Sequence, residues 1–356
     1  MIKILHSADW HLDAPLLFRN PEQTQFLRNA LAQIPRKITA LCKEHGCDVM
    51  LLAGDLFDSA HSTGSLQALK LALEEAAVPV FITPGNHDFA APGSIWLTEV
   101  WPENVTVFTD NQIKSLVLEG LDCTIYGASF TSMDCPALLQ NFRANHTTRY
   151  AIGIFHGDPT MVSSPYNPIT QTQIRQSGLD YLALGHIHKA GSLLCGDTLC
   201  LWPGCPMGKD YGEPGEKGAY IITLDEGARS KFVPLDTPRF YDLTLAVNGS
   251  AQEILEKILP PAGSMDYYRI TLTGESEKLD IPLLLGAFSH IPHLELLDTT
   301  TAPVDVWKAL GADTLEGQFF GMLKDAMDTT VDEKEVLLLA AELSRRILDG
   351  QEVVLP

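Results

Sequence analysis

Short apolar runs alternate with amphipathic stretches through the first two thirds of the chain. Runs at residues 2–6, 49–53, 78–83, 124–126, 151–155 and 181–184 are rich in β-branched and large apolar side chains and predict strands. Helical patterns lie between several of them, notably at 24–42 and 65–76. This alternation predicts a layered α/β domain. Residues 193–233 have short strand-like segments and many turn residues, such as Pro203-Gly204 and Pro214-Gly215, and are expected to close that domain with β structure. A break follows at 234–238. Beyond it the pattern predicts strand 241–247, helix 251–259, strand 267–273, helix 281–288 and strand 293–297, with Pro260-Pro261 stopping the first helix. Two helices are expected at the end. The first, 314–327, places Leu315, Phe319 and Leu323 at spacing four. The second, 331–348, opens with a Thr330/Glu333 capping box and stops at Gly350. The expected organisation is therefore 1–235, 239–300 and 301–356.

Composition changes this picture little. With 45% hydrophobic and 20% charged residues in a 356-residue chain, the class is ordinary globular. No apolar run approaches the ~18 residues of a membrane span. The first residues turn polar too soon for a signal peptide. Seven scattered cysteines, an odd number, argue against a disulfide framework and for a cytoplasmic setting.

Charge matters more. The net charge is -20. Residues 1–240 carry 17 Lys and Arg against 25 Asp and Glu, a net of -8, and residues 241–356 carry 8 against 20, a net of -12. Such acidity opposes nonspecific binding to a polyanion. Bound divalent cations would offset part of it in the first region.

Five short polar blocks end, or directly follow, the predicted strands. They are Asp9-Trp10-His11, Gly54-Asp55, Gly85-Asn86-His87-Asp88, His156-Gly157 and Gly185-His186-Ile187-His188. Singly, each is an ordinary turn. Together they supply carboxylate, amide and imidazole groups on neighbouring strand ends. A pair of divalent ions ~3.5–4 Å apart needs such a set, with one bridging carboxylate, to activate water and clamp an in-line displacement on phosphorus. Mixed imidazole and carboxylate ligands suit manganese, iron or zinc, whereas an all-oxygen shell suits magnesium.

The order and identity of these blocks resemble the calcineurin-like metallophosphoesterase superfamily, and within it the SbcD/YhaO branch of DNA-repair exonucleases. The closer resemblance rests on His6-Ser7-Ala8-Asp9-Trp10-His11-Leu12-Asp13-Ala14-Pro15, on Gly54-Asp55-Leu56-Phe57-Asp58, and on residues 181–189. Residues 203–209 and 215–218 resemble the branch's late loop, with Cys205 and Met207 in place of polar residues. It implies a four-layer α/β/β/α sandwich over 1–235, a small βαβαβ capping domain over 239–300, and a C-terminal helical segment that docks on the coiled coil of an SMC-like ATPase. It also implies a dinuclear site. Asp9, His11, Asp55 and His188 would hold one ion, and Asp55, Asn86, His156 and His186 the other. His87 would act at the scissile phosphate or leaving oxygen, and Asp88 would orient His87. The implied cofactors are two divalent ions, Mn2+ first, with iron, zinc or magnesium as alternatives. The implied substrate is DNA, and a homodimer is implied.

Weaker signals stay open. His61 is a phosphate contact or a solvated loop residue. Lys189 and Lys209, both in the resembling motifs, are the preferred phosphate contacts among the basic residues Arg19, Arg143, Arg149 and Arg175. Asp13 and Asp58 either back the ligands or form turns. His6 is expected as a satisfied core histidine. Cys195, Cys200 and Cys205 recur too widely for a zinc knuckle. Tyr166 and Tyr211 are expected to pack rather than stack on a base.

The expected function is metal-dependent phosphodiester hydrolysis by a DNA-repair nuclease subunit. The alternatives are a small-molecule phosphoesterase acting on cyclic nucleotides or phosphomonoesters, which the acidic charge favours, and a non-catalytic scaffold for the ATPase. An architectural DNA-binding role is disfavoured by charge.

Overall fold

A computed structural model of the chain describes residues 1–16, 18, 20–329 and 333–350. Arg19 and the Thr330 half of the expected capping box lie outside these. The chain forms two compact units: Met1–Asp242 with Ser264–Arg269, and Leu243–Gly263 with Ile270 onward.

The first unit runs β1 (Ile2–Ser7), α1 (Pro21–Ala32), α2 (Ile34–Glu44), β2 (Val49–Leu52), α3 (Thr63–Ala76), β3 (Val80–Ile82), α4 (Ile95–Thr98), β4 (Val105–Val107), β5 (Lys114–Leu118), β6 (Cys123–Gly127), β7 (Tyr150–His156), α5 (Gln171–Ser177), β8 (Tyr181–Gly185), β9 (Gly191–Cys195), β10 (Thr198–Trp202), β11 (Gly218–Leu224) and β12 (Ala228–Pro234). Two six-stranded sheets result, ordered β12-β11-β1-β2-β3-β4 and β5-β6-β7-β8-β10-β9. The strands β1, β2, β3 and β4 pair in parallel, as do β6, β7, β8 and β10.

Three packed layers of side chains hold these sheets and helices together. Successive strand residues point to opposite faces, so one strand feeds two cores. Leu5, Met50 and Leu52 face Leu27, Ile38 and Leu69 of α1, α2 and α3. Their neighbours Ile4, Val49 and Leu51 face the other way, into a core shared with Ile125, Ile152, Ile154 and Ala183 of the second sheet. Phe155, Leu182 and Leu184 cover the outer face of that sheet against Ile174 of α5. These layers make up the α/β/β/α sandwich expected for residues 1–235.

The predicted helix at 24–42 is two helices. Pro35 lies in the first turn of α2, two residues after the cap residue Gln33 shared by both. A proline there has no N–H and clashes with the carbonyl four residues back, so α1 cannot continue through it.

The strand expected after the 234–238 break, β13 (Phe240–Ala246), begins in the first unit. Phe240 is fully buried, and its ring lies 4.8 Å from Tyr267 and 5.9 Å from Phe18. That aromatic contact moves the division of the chain a few residues past the expected break. Then follow α6 (Ala251–Ile258), β14 (Tyr267–Thr273), α7 (Ile281–Ala287), β15 (Leu294–Asp298), α8 (Leu315–Thr329) and α9 (Lys334–Leu348). The three strands form a sheet ordered β13-β14-β15. In the second unit, α8 and α9 share a small core of Phe320 and Ala341 with Val306. Arg345 is buried there, over the Phe320 ring and paired with Glu316. Residues from 301 onward thus fall in one unit with most of the expected capping segment rather than in a separate one.

Candidate metal centre

The five blocks meet at the C-terminal ends of the parallel strands. Asp9 and His11 follow β1, Asp55 follows β2, and Asn86 and His87 follow β3 on the first sheet. His156 ends β7, and His186 and His188 follow β8 on the second. Asp9, His11, Asp55 and His186 have positive φ, of 55°, 46°, 51° and 100°. Non-glycine residues reach this region at a cost of about 1–3 kcal/mol each. Here ladder-like bonds hold the bend: Asp9 N donates to Gly54 O and His11 N to Asp55 O, both at 3.0 Å.

Asp55 is at the middle. Its Oδ1 accepts from His87 N at 2.9 Å, and its Oδ2 lies 3.3 Å from His156 Nε2 and 3.9 Å from His11 Nε2. Burial would raise its pKa, but His156 and His11 outweigh burial and hold it below the usual carboxylate range. The same pairing lifts His156 to about 9 against its own burial. Asp9 accepts from His186 N at 2.9 and 3.1 Å through its two oxygens. Asn86 Oδ1 lies 3.0 Å from His156 Nε2 and 3.2 Å from His186 Nδ1. His11 Nε2 lies 3.0 Å from His188 Nε2. The floor is too tight for a further carbon: a Cβ on Gly85 would fall 2.2 Å from Asp55 Oδ1.

These residues fit a pair of cations. Ligand atoms of Asp9, Asp55 and His156 lie within 4.8 Å of one another, and so do those of His11, Asp55 and His87. Asp55 belongs to both groups, as a bridging carboxylate must. The outer nitrogen of His156 contacts Ala53 O at 2.9 Å, so Nε2 is the nitrogen turned to the cluster, where an ion would take the place of its proton. His11 and His188 likewise turn Nδ1 to carboxylates, and their Nε2 atoms face each other at 3.0 Å. Such an arrangement suits a cation between them.

The sequence profile of the calcineurin-like phosphoesterases matches residues 2–190. The chain belongs to the calcineurin-like phosphoesterase family. Among its relatives, the uncharacterized metallophosphoesterase YhaO of Bacillus subtilis is 34% identical over 245 residues, covering 64% of this chain and 58% of that protein. The SbcD component of the nuclease SbcCD of Staphylococcus epidermidis is 21% identical over 319 residues, covering 78% of this chain and 81% of that protein. The match thus spans little more than half of the YhaO relative. Among solved structures, a dimetal phosphatase from Danio rerio is 11% identical, with a TM-score of 0.41 over 66% of this chain and 98% of that one.

Calcineurin-like phosphoesterases use divalent ions, and the cluster above is where this member has the side chains for them. The environment of His87 differs from the expectation. Asp88 does not orient it. The Asp88 carboxylate turns into the protein, where Oδ1 accepts from Gly85 N and Oδ2 from Leu56 N and Phe57 N at 2.8, 2.8 and 3.2 Å. Burial, then the charge of Asp55, pushes its pKa up to about 7. The partner of His87 is Asp58, whose Oδ1 lies 2.8 Å from His87 Nδ1 and 3.4 Å from His11 Nδ1. Asp58 therefore sits behind two site residues and is drawn down to about 2, chiefly by its bond to His11.

Of the other candidates, Asp13 is a loop brace, accepting from Ser62 N at 2.6 Å and Ser65 Oγ at 2.7 Å. His61 is exposed beside Phe57 and lines a cavity of about 450 Å3. Lys189 is exposed just after His188. Lys209 Nζ is turned toward Glu213, 3.8 Å away. Tyr211 packs on Phe240 and under Arg269. Tyr166 lies instead at the site, its ring 5.0 Å from that of His186. His6 is fully buried between the sheets, with Nδ1 2.7 Å from Tyr181 Oη and Nε2 3.0 Å from Leu184 O. Cys195 and Cys200 belong to the core under α5, while Cys205 is buried apart from them. All seven cysteines are free. Among the described residues, no helix is long and apolar enough to cross a membrane.

Sequence reasoning missed Glu213 and Asn167. Glu213 Oε1 receives the Nδ1 proton of His188. Asn167 Nδ2 donates to His156 O at 2.8 Å and so anchors the end of β7. No spacing rule points to either; Glu213 merely falls in the gap between the two late-loop motifs.

Proposed function

We propose that the chain is a metal-dependent phosphodiesterase that cleaves DNA, as a nuclease subunit of the SbcD/YhaO type. The observation that carries this reading is the convergence of eight side chains from both sheets, seven suited to two cations and one, His87, open to solvent. Asp9, His11, Asp55 and His188 would hold one ion, and Asp55, Asn86, His156 and His186 the other. Bound ions of this kind supply an activated water and neutralise charge on phosphorus. Mn2+ suits the mixed donor set.

The protein's own part is orientation and proton handling. The His87 side chain is 40% exposed, with Nδ1 engaged by Asp58. Its Nε2 is thereby directed outward, where it holds a phosphate oxygen or gives a proton to the leaving oxygen. Tyr166, beside His186, offers a flat face at the rim. The name of the SbcCD relative supports DNA as substrate. In the 301–356 segment, Leu315, Phe319, Ile347 and Leu348 line an apolar groove of about 600 Å3, which supports docking of an SMC-like ATPase coiled coil. The free cysteines support a reducing, cytoplasmic setting.

The test is a nuclease assay with Mn2+ on end-labelled single- and double-stranded DNA, with Asp55→Ala as control. Cleavage that disappears in the variant is expected. A second reading, hydrolysis of small phosphoesters, is favoured by the net charge of -20. Turnover of cyclic nucleotides or p-nitrophenyl esters with DNA left intact would establish it. No turnover of any substrate with any metal would leave the scaffold role.

A further inference from the structure

The four histidines of the centre are not supported alike. His188 Nδ1 is bonded to the carboxylate of Glu213, and His11 Nδ1 faces the carboxylate of Asp58 at 3.4 Å. His156 Nδ1 instead meets a neutral carbonyl, that of Ala53, at 2.9 Å. His186 turns its Nδ1 inward to Asn86, and among the described residues no carboxylate is hydrogen-bonded to its ring. An anionic acceptor fixes the tautomer and enriches the opposite nitrogen in electron density more than a carbonyl does. Both carboxylate-backed rings aim Nε2 at the same point, and those two atoms are 3.0 Å apart.

We propose that Glu213 makes the metal position at His11 and His188 the tighter of the two, so that the ions load in a fixed order. This rests on the metal-centre reading above. The loop that carries Glu213 is built for the purpose. Glu213 Oε2 accepts from Lys209 N at 2.8 Å and lies 3.6 Å from Cys205 Sγ, and Lys209 Nζ stands 3.8 Å from Oε1. The backbone carbonyl of His188 is held from the same loop by Cys205 N and by the buried ammonium of Lys217, each at 3.3 Å. Gly204, at φ 73°, passes so close that a Cβ would fall 2.5 Å from His188 O. Residues 204–217 therefore grip His188 at both its backbone and its ring. Asp58 divides its oxygen between His11 and His87, whereas Glu213 serves a single site histidine. Glu213 is thus a positioning residue whose loss changes metal affinity without touching His87.

The test is calorimetric titration of the metal-free full chain with Mn2+ alone. Two unequal binding steps are expected in the wild type. In Glu213→Gln the tighter step should weaken about 10- to 100-fold, with the weaker step and the melting temperature of the metal-free chain unchanged. Glu213→Ala should weaken the same step and spare the other, with a lower melting temperature because Lys209 N loses its acceptor. Two indistinguishable steps in the wild type would overturn the proposal. So would unchanged steps in a folded variant, or both steps falling together with the melting temperature, which is what a purely structural residue would give. Absence of any Mn2+ binding is a separate failure, that of the metal centre itself.

Discussion

One oxygen of Asp58 faces two imidazoles, with His87 Nδ1 at 2.8 Å and His11 Nδ1 at 3.4 Å. A solvent-facing imidazole and one suited to bind metal are thereby tied to the same carboxylate. Removing either end should separate their roles. His87→Ala is expected to lower turnover about 10²- to 10⁴-fold while bound metal stays at the wild-type level. Asp58→Asn should lower both. Steady-state rates measured beside metal content decide this, and wild-type turnover in a metal-loaded His87→Ala chain would remove His87 from the chemistry.

Asp88 predicts a stability effect rather than a catalytic one. Its two oxygens accept from three backbone N–H groups, of Leu56, Phe57 and Gly85. In Asp88→Asn the amide nitrogen cannot accept, so at least one buried N–H loses its partner. The loss should be about 1–3 kcal/mol per orphaned group. Denaturant unfolding of the metal-free chain measures it; an unchanged midpoint would mean that the carboxylate does not close this loop.

His6 predicts a pH dependence. Burial lowers its pKa to about 3, against 6.5 for an ordinary histidine, with only partial compensation from its bond to Leu184 O. Between these two values the unfolded chain binds a proton that the folded chain does not. Stability from this residue is therefore complete above pH 6.5 and is lost as pH falls toward 3, at up to about 1.4 kcal/mol per pH unit. In unfolding measurements on metal-free protein between about pH 7 and 4, His6→Gln should show a shallower slope than the wild type. Parallel slopes would contradict a neutral, buried His6.

Gly85→Ala tests the floor of the centre. The new methyl carbon would fall 2.2 Å from Asp55 Oδ1, so the Asp55 carboxylate must move. Loss of bound Mn2+ and of turnover is expected, with the far-ultraviolet circular dichroism retained. Full Mn2+ stoichiometry in the variant would show that Asp55 has room to spare.

Much of this was legible in the chain because the signals are local. Alternating faces of Ile4 and Leu5, or of Leu51 and Leu52, give the layers, and the five blocks lie at strand ends wherever the strands do. What failed was long-range or directional. Asp88 follows His87 immediately, yet the tight loop sends their side chains opposite ways, and the partner is Asp58, 29 residues earlier. Glu213 reaches His188 from 25 residues further on, past β9, β10 and a run of turns whose spacing marks no partner. The break before Pro35 was readable in principle, but the apolar pattern on either side continues through it.

The candidate ligands stand on two sheets, with Asp9, His11, Asp55 and Asn86 on one and His156, His186 and His188 on the other. An ion shared between them is a cross-brace over the seam of the sandwich. No part of the chain that ends before His188 contains both footings in full. Bound ions would add ties across a seam that the apolar core already closes. A chain with a loosened seam would release its ions before its helices melt, and a chain stripped of ions would be easiest to open along that line.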